Sequence, residues 1–385
     1  MPETSSRLEV FPNSAISYMA RLAEQYRAIN LAQGVPDFDP PSELLAAAER
    51  AIRGGHNQYS PSWGSFRLRQ AISAKHSHFS GLEIDPDQNI TVTVGGTEAL
   101  LATLTAITDP GDKVIVFSPH YEAYIVDSRL LDAQVVHISL HPPELTFDPD
   151  DLRLAFKNGA RVLILCNPAN PTGKVFSQSE LQIIADLAQE YDAFVLADEI
   201  YEHIVYPPNS HTYIASLPGM FERTISCSSV SKTYAVTGWR VGWAIAAPKV
   251  SAGLRKVHDF LSVCAPTPLQ EASVTALKFP WSYYDQMLAE YSARRDLFLG
   301  YLRSAGLTFI DPQGAYYVLV DISPFGFADD FEFCDWMVQE IGIAATPGSY
   351  FFHEPIKKYI RLNFAKHENT LHMAGQCLQR LREKI

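Results

Sequence analysis

Residues 228–240 read Ser228-Ser229-Val230-Ser231-Lys232-Thr233-Tyr234-Ala235-Val236-Thr237-Gly238-Trp239-Arg240. A single lysine stands among small and hydroxylated residues, and an arginine closes the loop. A lysine amine condenses with aldehydes only when neutral. Its pKa in water is roughly 10.4, so it needs burial or a neighbouring cation to react near neutral pH. Arg240 is one such cation, and its guanidinium can also hold a phosphate through two parallel hydrogen bonds. The stretch therefore fits a ligand that carries both an aldehyde and a phosphate. A solvated loop lysine has the same local sequence, so the rest of the chain must decide.

Working outward, short apolar runs recur at 90–94, 114–117, 135–138, 162–166, 194–197, 224–227 and 241–246, with helical patterns such as 180–191 between several of them. Continuous apolar strands alternating with helices predict an α/β fold, a mainly parallel sheet covered on both faces. Ligands of such sheets bind beyond the C-terminal strand ends. Tyr121, Asn170, Asp198 and Lys232 each follow one of these runs. Gly95-Gly96-Thr97-Glu98 joins the run 90–94 to an apolar helical stretch, 99–107. A glycine turn opening a helix offers free N–H groups and the positive dipole end to an anion. It lacks the GxGxxG spacing of a dinucleotide site.

Beyond these runs, the segment 31–41 is dense in turn residues and includes Gly34. Ser42 is placed to cap a helix closed by Gly54-Gly55. A long helical region, 269–304, leads into a second unit with strands at 307–310, 315–320 and 359–364 and helices at 331–341 and 367–381. Alternation in the last strand puts Arg361 on the face opposite Ile360, Leu362 and Phe364. Taken singly, most of these residues have ordinary readings. A strand-end Asp198 caps a helix, Asn167-Pro168-Ala169-Asn170-Pro171-Thr172-Gly173 is a double turn with room for a cis bond, Tyr59 is a packed loop aromatic, and Arg361 is an exposed strand arginine.

The chain has 385 residues, enough for two or three domain-sized units. Hydrophobic residues make up 47% and charged residues 19%, a globular composition. A formal charge of −12 argues against a nucleic-acid partner. No apolar run approaches the ~18 residues of a membrane helix. Neither a signal-peptide nor a transit pattern opens the sequence, and the five scattered cysteines read as free thiols. The expectation is a cytoplasmic protein with no membrane and no nucleic-acid partner. No metal site is expected: His353-Glu354 and His367-Glu368 begin like HExxH, but Lys357 and Leu371 stand at the closing position. GxSxG and CxxC are absent.

These motifs, in this order, resemble the class I/II aminotransferases, pyridoxal 5′-phosphate enzymes of fold type I, and most closely their kynurenine–glutamine and methionine branch. The resemblance spans nearly the whole chain. It implies a large domain, 41–275, whose mainly parallel seven-stranded sheet is sandwiched by helices. A smaller α+β domain, 276–385, and an N-terminal arm, 1–40, that joins the small domain would complete the fold. It implies that Lys232 holds the cofactor and moves the substrate's α-proton. Asp198 would pair with the ring nitrogen, Tyr201 and Asn170 with the ring's phenolic oxygen, and Tyr121 would stack on the ring. Gly96, Thr97, Glu98 through its backbone, Ser229 and Arg240 would hold the phosphate, with Tyr59 reaching across from the second subunit of a homodimer. Gly34, Asn170 and Arg361 would bind the substrate, Arg361 gripping its α-carboxylate.

The implied reaction is a ping-pong transfer of an amino group to a 2-oxo acid. No second arginine is evident for a distal carboxylate, and Phe38, Tyr121, Tyr350, Phe351 and Phe352 are aromatic. Neutral, aromatic or sulfur-containing amino acids are therefore expected as donors. A pyridoxal-phosphate lyase, of the C–S β-lyase or aminocyclopropane-carboxylate-synthase kind, shares most of these motifs. A cofactor-sensing regulator on this fold would need an added N-terminal DNA-binding domain. The aminotransferase-like region begins within the first 30 or so residues, so this reading is not expected.

Overall fold

The computed structural model describes residues 3–382. Helix α1 (Ala15–Tyr26) and strand β1 (Ile29–Asn30) form an arm, followed by α2 (Ser42–Arg53) and α3 (Phe66–Ser80). Then come β2 (Ile90–Thr93), α4 (Gly95–Ile107), β3 (Lys113–Ser118), α5 (Ala123–Leu130), β4 (Gln134–Ser139), α6 (Pro149–Lys157), β5 (Ala160–Cys166), α7 (Gln178–Glu190), β6 (Phe194–Asp198), β7 (Thr224–Ser229) and β8 (Gly242–Ile245). Helices α8 (Pro248–Leu261), α9 (Thr267–Leu277) and α10 (Ser282–Ser304) precede β9 (Phe309–Ile310), β10 (Tyr317–Asp321), α11 (Asp330–Trp336), β11 (Ile343–Ala344), β12 (Thr346–Pro347), β13 (Tyr359–Asn363) and α12 (Glu368–Arg382).

Seven strands form one sheet in the order β2-β8-β7-β6-β5-β3-β4. Strands β3 to β7 run parallel, and β8 runs antiparallel to both β7 and β2. The C-terminal ends of β2, β3, β5, β6 and β7 and the N-terminal end of β8 therefore share one edge. Apolar residues from both faces, such as Leu163 and Val195 on one and Ile164 and Leu196 on the other, bury against different helix layers. That two-sided burial is why these strands read as unbroken apolar runs rather than alternating ones.

A second, four-stranded antiparallel sheet has the order β12-β13-β10-β9. The arm joins this unit: β1 pairs in parallel with β11, and Met19 and Ala23 of α1 share a core with Leu299, Phe333 and Leu378.

Several expectations need correction. The helical region 269–304 is two helices, broken where Pro280, which has no N–H to donate, separates α9 from α10. Ser42 does not cap α2; Pro41 holds that position and the Ser42 hydroxyl bonds Glu43. The strand expected at 307–310 shortens to Phe309–Ile310. Both Asn167–Pro168 and Asn170–Pro171 are cis. All five cysteines are free. Among the described residues no helix is long and apolar enough to cross a membrane, and no cluster of His, Cys, Asp and Glu is arranged for a metal.

Candidate active site

The shared sheet edge opens into a cavity of about 230 Å³. Gly34, Gly96, Thr97, Tyr121, Asn170, Asp198, Tyr201, Ser229, Lys232, Arg240 and Arg361 all line it. Two expected residues do not. The Glu98 side chain turns away to Val94, His258 and Ser262. Tyr59 is 80% exposed and touches nothing in the cavity.

One end of the cavity is built for an anion. Gly95 takes a left-handed turn (φ 78°), so α4 starts at once and leaves the N–H groups of its first turn free. A Cβ on Gly95 would lie 2.4 Å from Arg240 Nη2, so only glycine lets the guanidinium settle on this turn. Gly242 packs equally close, with its missing Cβ 2.5 Å from the Gly95 carbonyl carbon. The backbone at Arg240 is itself left-handed (φ 53°), a strained geometry of the kind found at functional sites. Its Nη1–H donates to Thr237 O at 3.0 Å, which aims the side chain.

At the centre, Asp198 is buried and accepts from Tyr124 Oη at 2.7 Å and, weakly, from the Ile200 N–H at 3.4 Å. Burial raises its pKa, while Tyr124, Ile200 and the charge on Lys232 oppose the rise. Lys232 Nζ donates to Gly34 O at 3.1 Å. Burial lowers its pKa to about 8, with Arg361 and Arg240 adding to the effect and Asp198 resisting it. An amine with this pKa is partly neutral near physiological pH, which its chemistry requires.

At the far end Arg361 donates from Nη1 to Asn170 Oδ1 and from Nη2 to Ala32 O, both at 2.8 Å. Its Nε–H is buried without an acceptor. Its guanidinium lies between the rings of Tyr317 and Phe351, 4.4 and 4.5 Å from their centroids.

Residues 26–374 match the sequence model of the family described as aminotransferase class I and II. The chain is a class I and II aminotransferase. The methionine aminotransferase of Escherichia coli K12 is 37% identical to it over 377 residues, 98% of each chain. Human kynurenine–oxoglutarate transaminase 1 is 34% identical over 400 residues, 95% of each. The solved N-succinyldiaminopimelate aminotransferase of Mycobacterium tuberculosis superposes with a TM-score of 0.95 at 36% identity, covering 98% of this chain and 100% of that one.

Enzymes of this family depend on pyridoxal phosphate, and the aminotransferase cavity fits it. The cavity offers an anion cradle at one end, a buried carboxylate for a protonated ring nitrogen, and a lysine of lowered pKa between them. Ser231 Oγ, also on the cavity wall, is buried without a partner.

Sequence reasoning missed several residues of this aminotransferase site. Tyr124, in the first turn of α5, comes three residues after Tyr121, which precedes that helix, and their rings meet edge to face with centroids 5.7 Å apart; this spacing was the available signal. Tyr316 donates to Gly34 O at 2.9 Å, and Tyr317 Oη lies 3.0 Å from Tyr201 Oη. A Cβ on Gly34 would lie 1.9 Å from Tyr317 Oη, so this glycine is fixed by close approach. Of the five aromatics expected near the substrate, only Tyr121 lines the cavity. Phe351 packs on Arg361, Phe38 on Arg294, and Tyr350 and Phe352 face a separate hollow beside His120.

Proposed function

We propose that this aminotransferase moves the amino group of a neutral, aromatic or sulfur-containing L-amino acid to a 2-oxo acid by a ping-pong mechanism. The carrying observation is the charge of the cavity wall. Its arginines, among the described residues, are Arg240 at the anion end and Arg361 beside Asn170. With those two engaged by phosphate and α-carboxylate, no guanidinium is left for a distal carboxylate. The relatives named for methionine and kynurenine fit this reading.

Bound in the cavity, pyridoxal phosphate supplies an aldehyde carbon for amino exchange and a ring that draws electrons from the substrate's α-carbon. Gly96, Thr97, Ser229 and Arg240 would hold its phosphate, with the N–H of Glu98 adding to the helix dipole. Asp198 would pair with the protonated ring nitrogen, Tyr121 would face the ring, and Tyr201 and Asn170 would serve its phenolic oxygen. Arg361, with Gly34 and Asn170 beside it, receives the α-carboxylate on donors that include its unpaired Nε–H. Lys232 Nζ would take the substrate's α-proton and give it up again within the cavity.

The unit is a cytoplasmic homodimer in this reading, with domains at 41–275 and 276–385 and the arm 1–40 packed on the latter. The dimer is supported by unspent surface: Tyr59 is 80% exposed and Phe260 is 94% exposed, with Leu261 and Val263 open beside it. A second copy would cover these and bring Tyr59 to the other phosphate.

The test is a panel of amino donors against several oxo acids, followed by cofactor absorbance. Methionine and aromatic donors are expected to exceed aspartate and glutamate in kcat/KM by about 100-fold, the scale of an unmatched polar group in a site. A preference for a dicarboxylic first donor would overturn the substrate assignment.

A further inference from the structure

We propose that His258 is a positioning residue that ties the anion cradle of its own site to the loop carrying Tyr59, which serves the partner's site. The inference rests on the dimer reading above. His258 lies in the last turn of α8, is fully buried, and lines no part of the active cavity.

Its two ring nitrogens reach opposite ways. Nε2 lies 2.8 Å from Ser62 O. A carbonyl only accepts, so Nε2 carries a proton and donates. Nδ1 lies 2.9 Å from Glu98 Oε1, in the first turn of α4. The same carboxylate accepts from Ser262 Oγ at 2.5 Å and, through Oε2, from the Val94 N–H. Burial raises the Glu98 pKa, but His258, Ser262 and the Val94 N–H together bring it below the ordinary value. An ionised glutamate thus fixes the start of α4, immediately beyond Gly96 and Thr97.

The Ser62 end is equally committed. The loop between Tyr59 and α3 is pinned on its other side by Gln270, whose Oε1 accepts from the Ser65 N–H at 2.9 Å and whose Nε2 donates to Ser60 Oγ at 2.9 Å. Thr267 Oγ1 accepts from the Ser60 N–H at 3.2 Å. The stem of this loop is therefore rigid while its tip, Tyr59, projects into solvent. A projecting tyrosine on a fixed stem suits a contact made outside its own chain. His258 is the one side chain described that bonds both this stem and the Glu98 carboxylate.

Two conservative variants separate the two arms. Asparagine places an amide at the Nδ1 position and keeps a bond to Glu98 while losing Ser62. Glutamine places an amide at the Nε2 position and keeps Ser62 while losing Glu98. The assay uses hybrid dimers in which one subunit carries Lys232→Ala, so that the visible band of the lysine-bound cofactor reports the other subunit alone. The readout is the dissociation constant for pyridoxal phosphate.

His258→Gln in the reporting subunit and His258→Asn in the Lys232→Ala subunit are each expected to weaken binding about tenfold, the size of one hydrogen bond to a charged group. The swapped placements should change it less than threefold. Thermal unfolding of each variant identifies any that fail to fold, and for those His258→Phe with its own placements replaces the pair. Effects confined to the reporting subunit, or no effect in either, overturn the proposal. Tyr59→Phe in the Lys232→Ala subunit is the control. If it has no effect, the cross-subunit reading fails and takes this inference with it. If it weakens binding while the His258 variants do not, only the inference falls.

Discussion

Replacing Lys232 with methionine should abolish transamination and stabilise the coenzyme-free protein. The lysine pKa falls from an ordinary 10.5 to about 8 because burial penalises its charge. That gap corresponds to roughly 3 kcal/mol, by which the charged amine destabilises the fold wherever it is protonated in both states. Methionine removes the charge and keeps most of the apolar stem. It also removes the bond from Nζ to Gly34 O, worth about 1 kcal/mol. Gly34 O keeps its bond from Tyr316 Oη, so no carbonyl is left unpaired.

The expected gain is therefore about 2 kcal/mol near pH 7. Its pH dependence follows from the direction of the shift. Between about 8 and 10.5 the unfolded lysine still holds its proton while the folded one has lost it. The unfolded state then binds more protons, so wild-type stability rises with pH across this window relative to the variant. The variant's advantage should be complete below pH 8 and close by about pH 10.5. Urea unfolding of both coenzyme-free proteins, at equal concentration and at pH 7, 8.5 and 10, measures the difference; groups that do not feel the Lys232 charge titrate alike and cancel, and Asp198, which does, is common to all three pH values. A variant less stable than wild type at pH 7, or an advantage unchanged at pH 10, would refute the claim that burial sets this pKa.

Gly95→Ala should weaken cofactor binding more than tenfold in an absorbance titration. The new Cβ displaces Arg240, and the left-handed backbone adds about 1 kcal/mol of strain. Gly96→Ala meets only Ile200, at 3.3 Å, and should be milder; equal effects would rule out the Arg240 contact as the cause. Tyr124→Phe removes a donor that lowers the Asp198 pKa, so the acid limb of kcat/KM should move to higher pH, and an unmoved limb would separate Asp198 from the acid limb. Lys75→Met strips the partner from the buried Glu202 carboxylate, 2.6 Å away, and should cost about 3 kcal/mol in urea unfolding. Adding Glu202→Gln, which removes the orphaned charge and keeps an acceptor for Tyr213 Oη and Ser228 Oγ, should recover most of that loss, and a double variant no better than the single would show that the charge is not at fault.

Much of this was written in local sequence. The strand runs were legible because burial on both faces makes them continuously apolar, and Tyr121, Asn170, Asp198 and Lys232 were legible because each follows such a run. Other features depend on contacts between distant segments. Tyr316 and Tyr317 reach Gly34 from nearly 300 residues away, and nothing near either tyrosine signals it. The aromatics at 350–352 were misplaced for the same reason: composition names an aromatic but not the wall it faces. Lys75 and Glu202 carry no local mark of pairing, since each reads as a surface charge until α3 and the turn after β6 are brought together. The break before α10 was missed, although Pro280 stood in the sequence as its signal.

The reversed strand deserves a physical reason, since an otherwise parallel arrangement would have accommodated β8 either way. A parallel strand begins at the edge opposite the ligand. Four residues at about 3.3 Å each span roughly 13 Å, so an arginine leading into a parallel β8 would lie about that far from the anion cradle. Running antiparallel, β8 starts where its neighbours end: Gly242 is registered with Ser229 on one side and Thr93 on the other. Arg240 then arrives beside the start of α4 after only the loop from Lys232, with no crossover helix. The two glycines at 95 and 242 follow from this choice, because two backbones and a guanidinium must pass within van der Waals contact at one corner. The strand's direction, the glycine pair and the strained arginine are thus one solution to a single demand, a cation at the same edge as the lysine.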